Sequence, residues 1–322
     1  MSAVGAGDGA LPWLAPAQQQ LQAAHRAGRS PHGLLIHEAP GTGGSLLAIW
    51  FAQLILCTAQ PAPCGQCAGC RRVRAREHPD FIVLGPDAES KLGQITVDQV
   101  RAVSEQLSLS SYEGRGTVVV IEPAHALNRN AANALLKTLE EPRADAHLVL
   151  VTASPSLLPA TVRSRCLRLA LPIPGREQAL AWLSEKQPQH RSAWPAVLEV
   201  LGVAPLQAVD ADVPRLLALR DEMLQVLRDA AAGRIDVLRV ADSWAKDDLA
   251  LRLTCIENCL TARVLAMRAG ARLQDGGLDI NIGPAMRILD DVRRLQGQLA
   301  TSLNKPLAVE DQLWRVNMRA GQ

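Results

Sequence analysis

The stretch Gly33-Leu-Leu-Ile-His-Glu-Ala-Pro-Gly-Thr-Gly-Gly-Ser45 decides the fold of this chain. An apolar run, Leu34 to Ile36, predicts a buried strand that leads through a glycine-rich turn into a helix predicted over Ser45 to Cys57. In a phosphate-binding loop, G-x-x-x-x-G-K-S/T, backbone N–H groups cradle phosphates and the Lys reaches the β- and γ-phosphates. Here Glu38 replaces the first Gly, and Gly44 replaces the Lys. The pattern predicts a nucleotide-binding fold that has lost its nucleotide chemistry.

The glycine turn by itself is equally well explained as a tight connection between strand and helix. Its pairing with an apolar strand, Thr117 to Ile121, favours descent from a nucleotide-binding fold. An active ATPase of this class carries an Asp for Mg²⁺ and a Glu for the attacking water directly after that strand. Glu122 keeps a charge there, but Pro123 cannot act as a base. We therefore do not expect tight ATP binding at the degenerate loop residues Gly41, Gly43, Gly44 and Ser45.

Short apolar strands alternate with helical segments through the first half of the chain. Further strands are predicted over Phe81 to Leu84 and Leu148 to Thr152, and helices over Val97 to Leu107 and Asn130 to Glu140. This alternation predicts an α/β fold with a mostly parallel sheet and helices on both faces. Ligands of such a sheet bind at the carboxyl ends of the strands, where the glycine turn falls.

The strand signal ends after Pro172, and a helical periodicity follows it. The segment from Arg176 to Val209 is broken by several prolines, which predicts a small helical domain. From Pro214 onward, apolar residues recur every three or four positions and predict a third, all-helical domain. The predicted domains are 1–172, 173–211 and 212–322.

Composition limits the classes of function. A formal net charge of +2 is too small for a general polyanion binder, and an aromatic content of 3% is low for a single-strand nucleic-acid binder. The segment Met1 to Ala10 lacks the features of a signal peptide. The longest apolar stretch, Leu46 to Cys57, is too short to span a bilayer. The sequence predicts a soluble, cytoplasmic protein with no membrane partner.

Four of the seven cysteines lie in one short segment, Cys57-x6-Cys64-x2-Cys67-x2-Cys70. In a cytosolic chain of this size, this spacing favours a metal site over a disulfide framework. Four thiolates would surround one tetrahedral zinc ion in a module over 57–80, and a fully ligated ion of this kind is structural. An iron–sulfur cluster, redox thiols and a metal-free buried group remain as alternatives.

Three segments resemble the clamp-loader branch of the AAA+ ATPases. They are Asn130-Ala-Ala-Asn-Ala-Leu-Leu-Lys-Thr-Leu-Glu-Glu-Pro142, the strand Leu148 to Thr152, and Thr161-Val-Arg-Ser-Arg-Cys166. In that family the last motif contains the Ser-Arg-Cys arginine finger, which Ser164-Arg165-Cys166 matches at every position. The matching motifs are dense over 33–166, whereas the C-terminal region agrees mainly in its helical pattern.

The resemblance implies an AAA+ core, a small helical lid and a helical collar that joins subunits into an open ring. It also implies that Arg165 serves in trans as the finger for ATP bound by a neighbouring motor subunit. Thr152 matches a sensor position of the family, but Gly202 to Leu206 lacks the lid arginine of active members. No independent catalysis is therefore implied. The implied partners are the bacterial DNA polymerase III motor subunits gamma and tau, the delta subunit, the sliding clamp and primer-template DNA.

Two other classes of function remain open. A motor ATPase could tolerate the unusual loop, although Gly44 and Pro123 argue against it. A zinc-dependent nucleic-acid binder could work alone through the arginine-rich run at 71–76, although such a run is more often a solvated helix face.

Overall fold

The computed structural model describes residues 11–87, 93–268, 282–299 and 304–320. The chain divides into two compact units, Met1–Pro174 and Gly175–Gln322. The five described strands all belong to the first unit, and the described part of the second unit is helical. The segment Met1 to Ala10 and parts of the predicted third domain lie outside the described residues.

A five-stranded parallel sheet forms the centre of the first unit, in the spatial order β2-β3-β4-β1-β5. In register, Leu35 lies between Leu150 on one side and Arg168 on the other, so β1 is an interior strand. The glycine turn leaves the sheet at the carboxyl end of this strand. In chain order the strands are β1 (Gly33–His37), β2 (Phe81–Leu84), β3 (Thr117–Ile121), β4 (Ala146–Thr152) and β5 (Leu167–Ala170).

Different helices cover the two faces of the sheet. Alternate strand side chains, including Leu35, Val119 and Leu148, share one apolar cluster with α4 and α5. Helix α2 packs against β1, β3 and β4, and its Leu47 and Phe51 are fully buried. The predicted α/β class, with a parallel sheet between helices, is confirmed. The helices of this unit are α1 (Ala15–Arg26), α2 (Gly44–Leu56), α3 (Ala68–Ala75), α4 (Val97–Ser108), α5 (Arg129–Glu140) and α6 (Ala160–Arg163).

Side-chain caps fix where α4 and α5 begin. Thr96 and Gln99 form a reciprocal capping box at the start of α4. At the start of α5, the Asn128 side chain accepts a hydrogen bond from the Ala131 N–H at 2.8 Å. The Asn128 cap fixes the start of α5, and the last residue of this helix, Glu140, lies beside the predicted arginine finger.

The second unit is helical throughout its described residues, as the sequence predicts. Its largest fully buried side chains are Trp194 and Trp244. The buried Arg252 pairs with Glu222 at 2.7 Å and with Asp247 at 2.8 Å, so its charge is compensated inside the unit. Its helices are α7 (Arg176–Lys186), α8 (Trp194–Leu201), α9 (Pro205–Val209), α10 (Val213–Ala231), α11 (Val237–Lys246), α12 (Leu249–Arg268), α13 (Ile282–Gln298) and α14 (Lys305–Ala320).

The prediction that the helix after the glycine turn extends to Cys57 is wrong by one residue. Helix α2 ends at Leu56, and Cys57 has an extended backbone with φ −69° and ψ 133°. This change of direction takes the Cys57 thiol out of the helix and towards the other cysteines. Among the described helices, none combines the length and the apolar character that crossing a bilayer requires.

Candidate functional site

The glycine turn between β1 and α2 depends on the conformational freedom of two of its glycines. Gly41 and Gly43 have backbone φ angles of 77° and 105°, which residues other than glycine rarely adopt. The Trp13 indole N–H donates a hydrogen bond to the Thr42 carbonyl at 2.7 Å, and the Thr42 hydroxyl donates to the Ala39 carbonyl at 2.7 Å. These two hydrogen bonds, made by the buried side chains of Trp13 and Thr42, hold the loop in this shape.

The carboxylate of Glu38 lies inside this loop. The Gly44 N–H, at the start of α2, donates to Glu38 Oε2 at 2.5 Å. Burial raises the pKa of Glu38, the Gly44 N–H lowers it, and the nearby Glu122 carboxylate raises it further. The backbone donor that would face a phosphate therefore already has an acidic partner from the same chain.

The side chains around the loop also satisfy one another. The Ser45 hydroxyl donates a hydrogen bond to Glu122 Oε1, which joins the loop to the end of β3. His125 Nδ1 lies 3.0 Å from the hydroxyl of Thr152, the predicted sensor residue, at the end of β4. Gly41, Gly43, Gly44 and Ser45 thus all lie at the carboxyl edge of the sheet, where the sequence places them.

The four predicted metal ligands come together in one cluster. The Sγ atoms of Cys57, Cys64, Cys67 and Cys70 all lie within 4.8 Å of one another. Cys57 Sγ and Cys67 Sγ are 3.9 Å apart. Tetrahedral zinc with Zn–S bonds of about 2.3 Å requires sulfur–sulfur separations of about 3.8 Å, so the cluster fits a zinc ion.

Backbone N–H groups point at the sulfurs of this cluster, as expected for thiolate ligands. The Cys64 N–H donates to Cys57 Sγ at 3.4 Å, and the Cys67 N–H donates to Cys64 Sγ at 3.3 Å. Burial raises the pKa of the Cys67 thiol, but hydrogen bonds from Thr58 and from the Cys70 N–H outweigh it and lower the pKa to about 5. The lowered pKa of Cys67 favours its thiolate, the form of cysteine that binds a metal ion.

A buried polar network, which the sequence did not reveal, joins the cysteine module to the sheet. The buried carboxylate of Asp80 accepts hydrogen bonds from the Tyr112 N–H at 2.6 Å and the Glu113 N–H at 3.0 Å. Glu113 in turn pairs with Arg72 of α3 at 2.5 Å, and its second oxygen lies 3.4 Å from His78. Arg72 therefore has a partner within the protein, as part of an arginine run that is otherwise mostly exposed.

The predicted finger, Arg165, lies on the surface of the first unit. Its guanidinium pairs with Glu140 at 2.6 Å and donates a hydrogen bond to the Thr161 carbonyl at 2.9 Å, while 36% of the side chain stays exposed. The next residue, Cys166, is buried, and burial raises the pKa of its thiol to about 11. Cys166 therefore stays protonated and anchors the backbone that carries Arg165.

Arg165 and the glycine loop lie at opposite ends of the strands, Arg165 at the amino ends and the loop at the carboxyl ends. The Arg165 carbonyl packs against Gly33, at the amino end of β1, whereas the loop follows His37 at the carboxyl end. The five residues of β1, at about 3.3 Å each, separate these two ends by about 16 Å. The guanidinium, which pairs with Glu140, therefore lies at the end of the sheet away from the glycine loop of its own chain.

Comparison with known proteins identifies the family. A family model described as "DNA polymerase III, delta subunit" matches residues 14–174. The DNA polymerase III subunit delta' of Yersinia pestis is 34% identical over 256 residues, which are 77% of this chain and 74% of that protein. The chain belongs to the DNA polymerase III delta-prime family. The resemblance to clamp-loader proteins, predicted from the Ser-Arg-Cys motif and its neighbours, is confirmed at this level.

A second relative also agrees with membership of the delta-prime family. Subunit delta' of Pseudomonas aeruginosa is 36% identical over 216 residues, which are 66% of this chain. The match spans 65% of that protein, slightly under two thirds of its length. Among solved structures, a gamma subunit-related protein of DNA polymerase III from Thermotoga maritima has a TM-score of 0.48 and 17% identity, with 94% of this chain and 99% of that chain covered.

Proposed function

We propose that this delta-prime family chain is a non-hydrolysing subunit of the bacterial replicative clamp loader, within the DNA polymerase III holoenzyme. It helps to load the sliding clamp onto primed DNA. Its partners are the gamma and tau motor subunits and the delta subunit, with the clamp and primer-template DNA bound by the whole complex. In this proposal, 173–211 serve as a lid and 212–322 as the collar that joins the subunits.

The position of Arg165 carries the proposal. The Arg165 guanidinium lies at the opposite end of the strands from the glycine loop of the same chain. It therefore cannot reach a nucleotide bound at that loop. The same guanidinium is exposed and suited to enter the active site of an adjacent subunit. Arginine serves this role well because it stays charged and presents a planar fork of donors to the phosphoryl oxygens. A finger supplied in this way stabilises the charge that develops during phosphoryl transfer.

The closed glycine loop supports the second half of the proposal, that this chain hydrolyses no ATP. The Gly44 N–H is engaged by Glu38, and the Ser45 hydroxyl is engaged by Glu122. Phosphoryl transfer depends on a lysine, a metal ion and a residue that orients water, all correctly placed together. Here Gly44 and Pro123 remove two of these parts.

We expect the purified chain to hydrolyse ATP no faster than a buffer blank. Gly44→Lys alone should not restore turnover, because Pro123 still lacks a base and Glu38 still faces the loop. The measurement is phosphate release at saturating Mg-ATP, with and without primed DNA. Saturable turnover that persists through further purification would contradict the proposal.

Co-purification tests the assignment to the complex. Tagged chain, captured at native concentration from its own organism, should retain a larger chain with intact nucleotide motifs, a second divergent clamp-loader chain and the sliding clamp. The matched control is the first unit alone, 1–174, which lacks the proposed collar and should lose the subunits that bind through it. Capture of none of these chains by the full-length protein would refute the proposal.

A further inference from the structure

We propose that a patch on the surface of the first unit binds single-stranded DNA. Five exposed side chains form this patch, which we call the arginine–tyrosine surface: Arg71, Arg74, Arg76, Tyr112 and Arg115. The first three belong to helix α3 and to the residue that ends it, and the other two belong to the loop between α4 and β3. The proposed function makes no use of these residues, so this inference does not rest on it.

Ion pairs place the loop beside α3. The Glu113 carboxylate pairs with the Arg72 guanidinium at 2.5 Å, and these two residues are 41 positions apart in the chain. The same carboxylate lies 3.4 Å from the buried His78, in the segment that follows α3. Tyr112 directly precedes Glu113, and Arg71 directly precedes Arg72. The two segments of the arginine–tyrosine surface are therefore neighbours in the folded chain.

Hydrogen bonds fix the backbone that carries Tyr112. The buried Asp80 carboxylate accepts hydrogen bonds from the Tyr112 N–H at 2.6 Å and from the Glu113 N–H at 3.0 Å. The Gly116 N–H donates to the Ser111 hydroxyl at 3.3 Å and closes the loop. The Tyr112 side chain is nevertheless 88% exposed. Because an aromatic ring stabilises a fold mainly by burying its area, this ring contributes little to the fold and is free to contact a ligand.

The arginine–tyrosine surface carries an excess of positive charge. Residues 71–77 and 111–116 together contain five arginines and two glutamates. One of these glutamates, Glu113, is already engaged by Arg72. Within the described residues, no ion pair involves Arg71, Arg74, Arg76 or Arg115. The net charge of +2 for the whole chain therefore conceals a local cluster of uncompensated guanidinium groups.

Single-stranded DNA matches this combination of groups. Guanidinium groups pair with backbone phosphates and release condensed counterions when they do so. An exposed aromatic ring stacks on an unpaired base, whereas the bases of a duplex are already stacked on one another. Both kinds of contact are independent of base sequence. The arginines alone would suit any polyanion, and Tyr112 is the feature that favours a single strand.

The test measures fluorescence anisotropy of a labelled oligothymidylate of about 15 nucleotides with the full-length, zinc-loaded chain at about 50 mM salt. We expect saturable binding by the wild type. Tyr112→Ala should weaken binding about tenfold and leave its salt dependence unchanged, because stacking involves no counterions. Tyr112→Phe keeps the ring and should bind as the wild type does.

The arginines should determine the salt dependence instead. The triple variant Arg71→Ala/Arg74→Ala/Arg76→Ala should weaken binding by about tenfold or more and reduce the slope of log affinity against log salt by about 2. A second triple variant removes the same charge elsewhere in the first unit, at three exposed arginines, and is the matched control. It should bind as the wild type does: Arg26→Ala/Arg29→Ala/Arg168→Ala.

Absence of saturable binding by the wild type would overturn the proposal. So would equal losses in the two triple variants, which would show a general effect of charge, or tighter binding of a duplex with no effect of Tyr112→Ala. Photocrosslinking to an iodouracil-substituted strand locates the contact in the wild type and needs no variant to fold. It should recover peptides that contain residues 71–76 or Tyr112, and crosslinks confined to other segments would equally overturn the proposal.

Discussion

Arg165→Ala is expected to slow ATP hydrolysis by about a thousandfold or more at one neighbouring site of the assembled clamp loader. The affected site loses a charge that stabilises the transferred phosphoryl group. Sites served by other subunits keep their own fingers, so the total rate falls by less than this factor. The measurement is steady-state ATP hydrolysis and clamp loading by rings reconstituted with wild-type or variant chain, stimulated by clamp and primed DNA.

The isolated Arg165→Ala chain should fold normally. Its ion pair with Glu140 is largely exposed, and pairs of this kind contribute about 0 to 1 kcal/mol. Cys166 remains in place to anchor the backbone. The melting temperature of the variant should therefore lie close to that of the wild type, and the variant ring should still assemble.

Two matched variants separate a finger from a simple positive charge. Arg165→Lys keeps the charge but loses the planar fork, so we expect it to remain strongly impaired. Arg168→Ala removes a similarly exposed arginine three residues away, on β5, and should leave hydrolysis unchanged. Equal rates and equal clamp loading for all four rings would show that Arg165 is not a finger.

Local sequence patterns were sufficient to predict four of the five described strands. Strands β2 and β3 have the predicted bounds, because continuous β-branched and apolar runs indicate buried parallel strands. Strand β5 was missed. It has four residues, three of them are exposed, and Arg168 interrupts the apolar run. Only its pairing with β1 makes it a strand.

Helix α1 was missed for a related reason. Its sequence, APAQQQLQAAHR, is polar, and only Ala17 and Leu21 of this helix are buried. Its place in the structure depends on packing against α2 and on the preceding Trp13, whose indole N–H reaches the glycine loop. A contact between residues 29 positions apart in the chain cannot be deduced from the periodicity of a short segment.

The sequence located the candidate sites but not what their residues contact. It identified Glu38 and Gly44 as departures from a pattern, whereas their mutual contact depends on how the loop closes. It placed four cysteines at metal-binding spacing, and the structure brings their sulfurs together. The network of Asp80, Glu113 and His78 joins positions far apart in the chain, so only the folded structure could reveal it.

Removal of the metal should destabilise the cysteine module more than any single surface substitution. We expect about one zinc ion per chain, held by Cys57, Cys64, Cys67 and Cys70, because the cluster has the separations and the N–H···S bonds of a closed thiolate shell. The binding free energy of such an ion is also folding free energy, on the order of 10 kcal/mol. Cys67→Ser should therefore lower zinc content sharply and increase hydrogen exchange first in the 57–80 segment.

Cys259→Ser, in the second unit and outside the cluster, is the matched control and should keep both the zinc and the exchange pattern. Elemental analysis that finds iron, or no metal in protein purified without chelator, would exclude a zinc site. Full zinc content in Cys67→Ser would exclude Cys67 as a ligand.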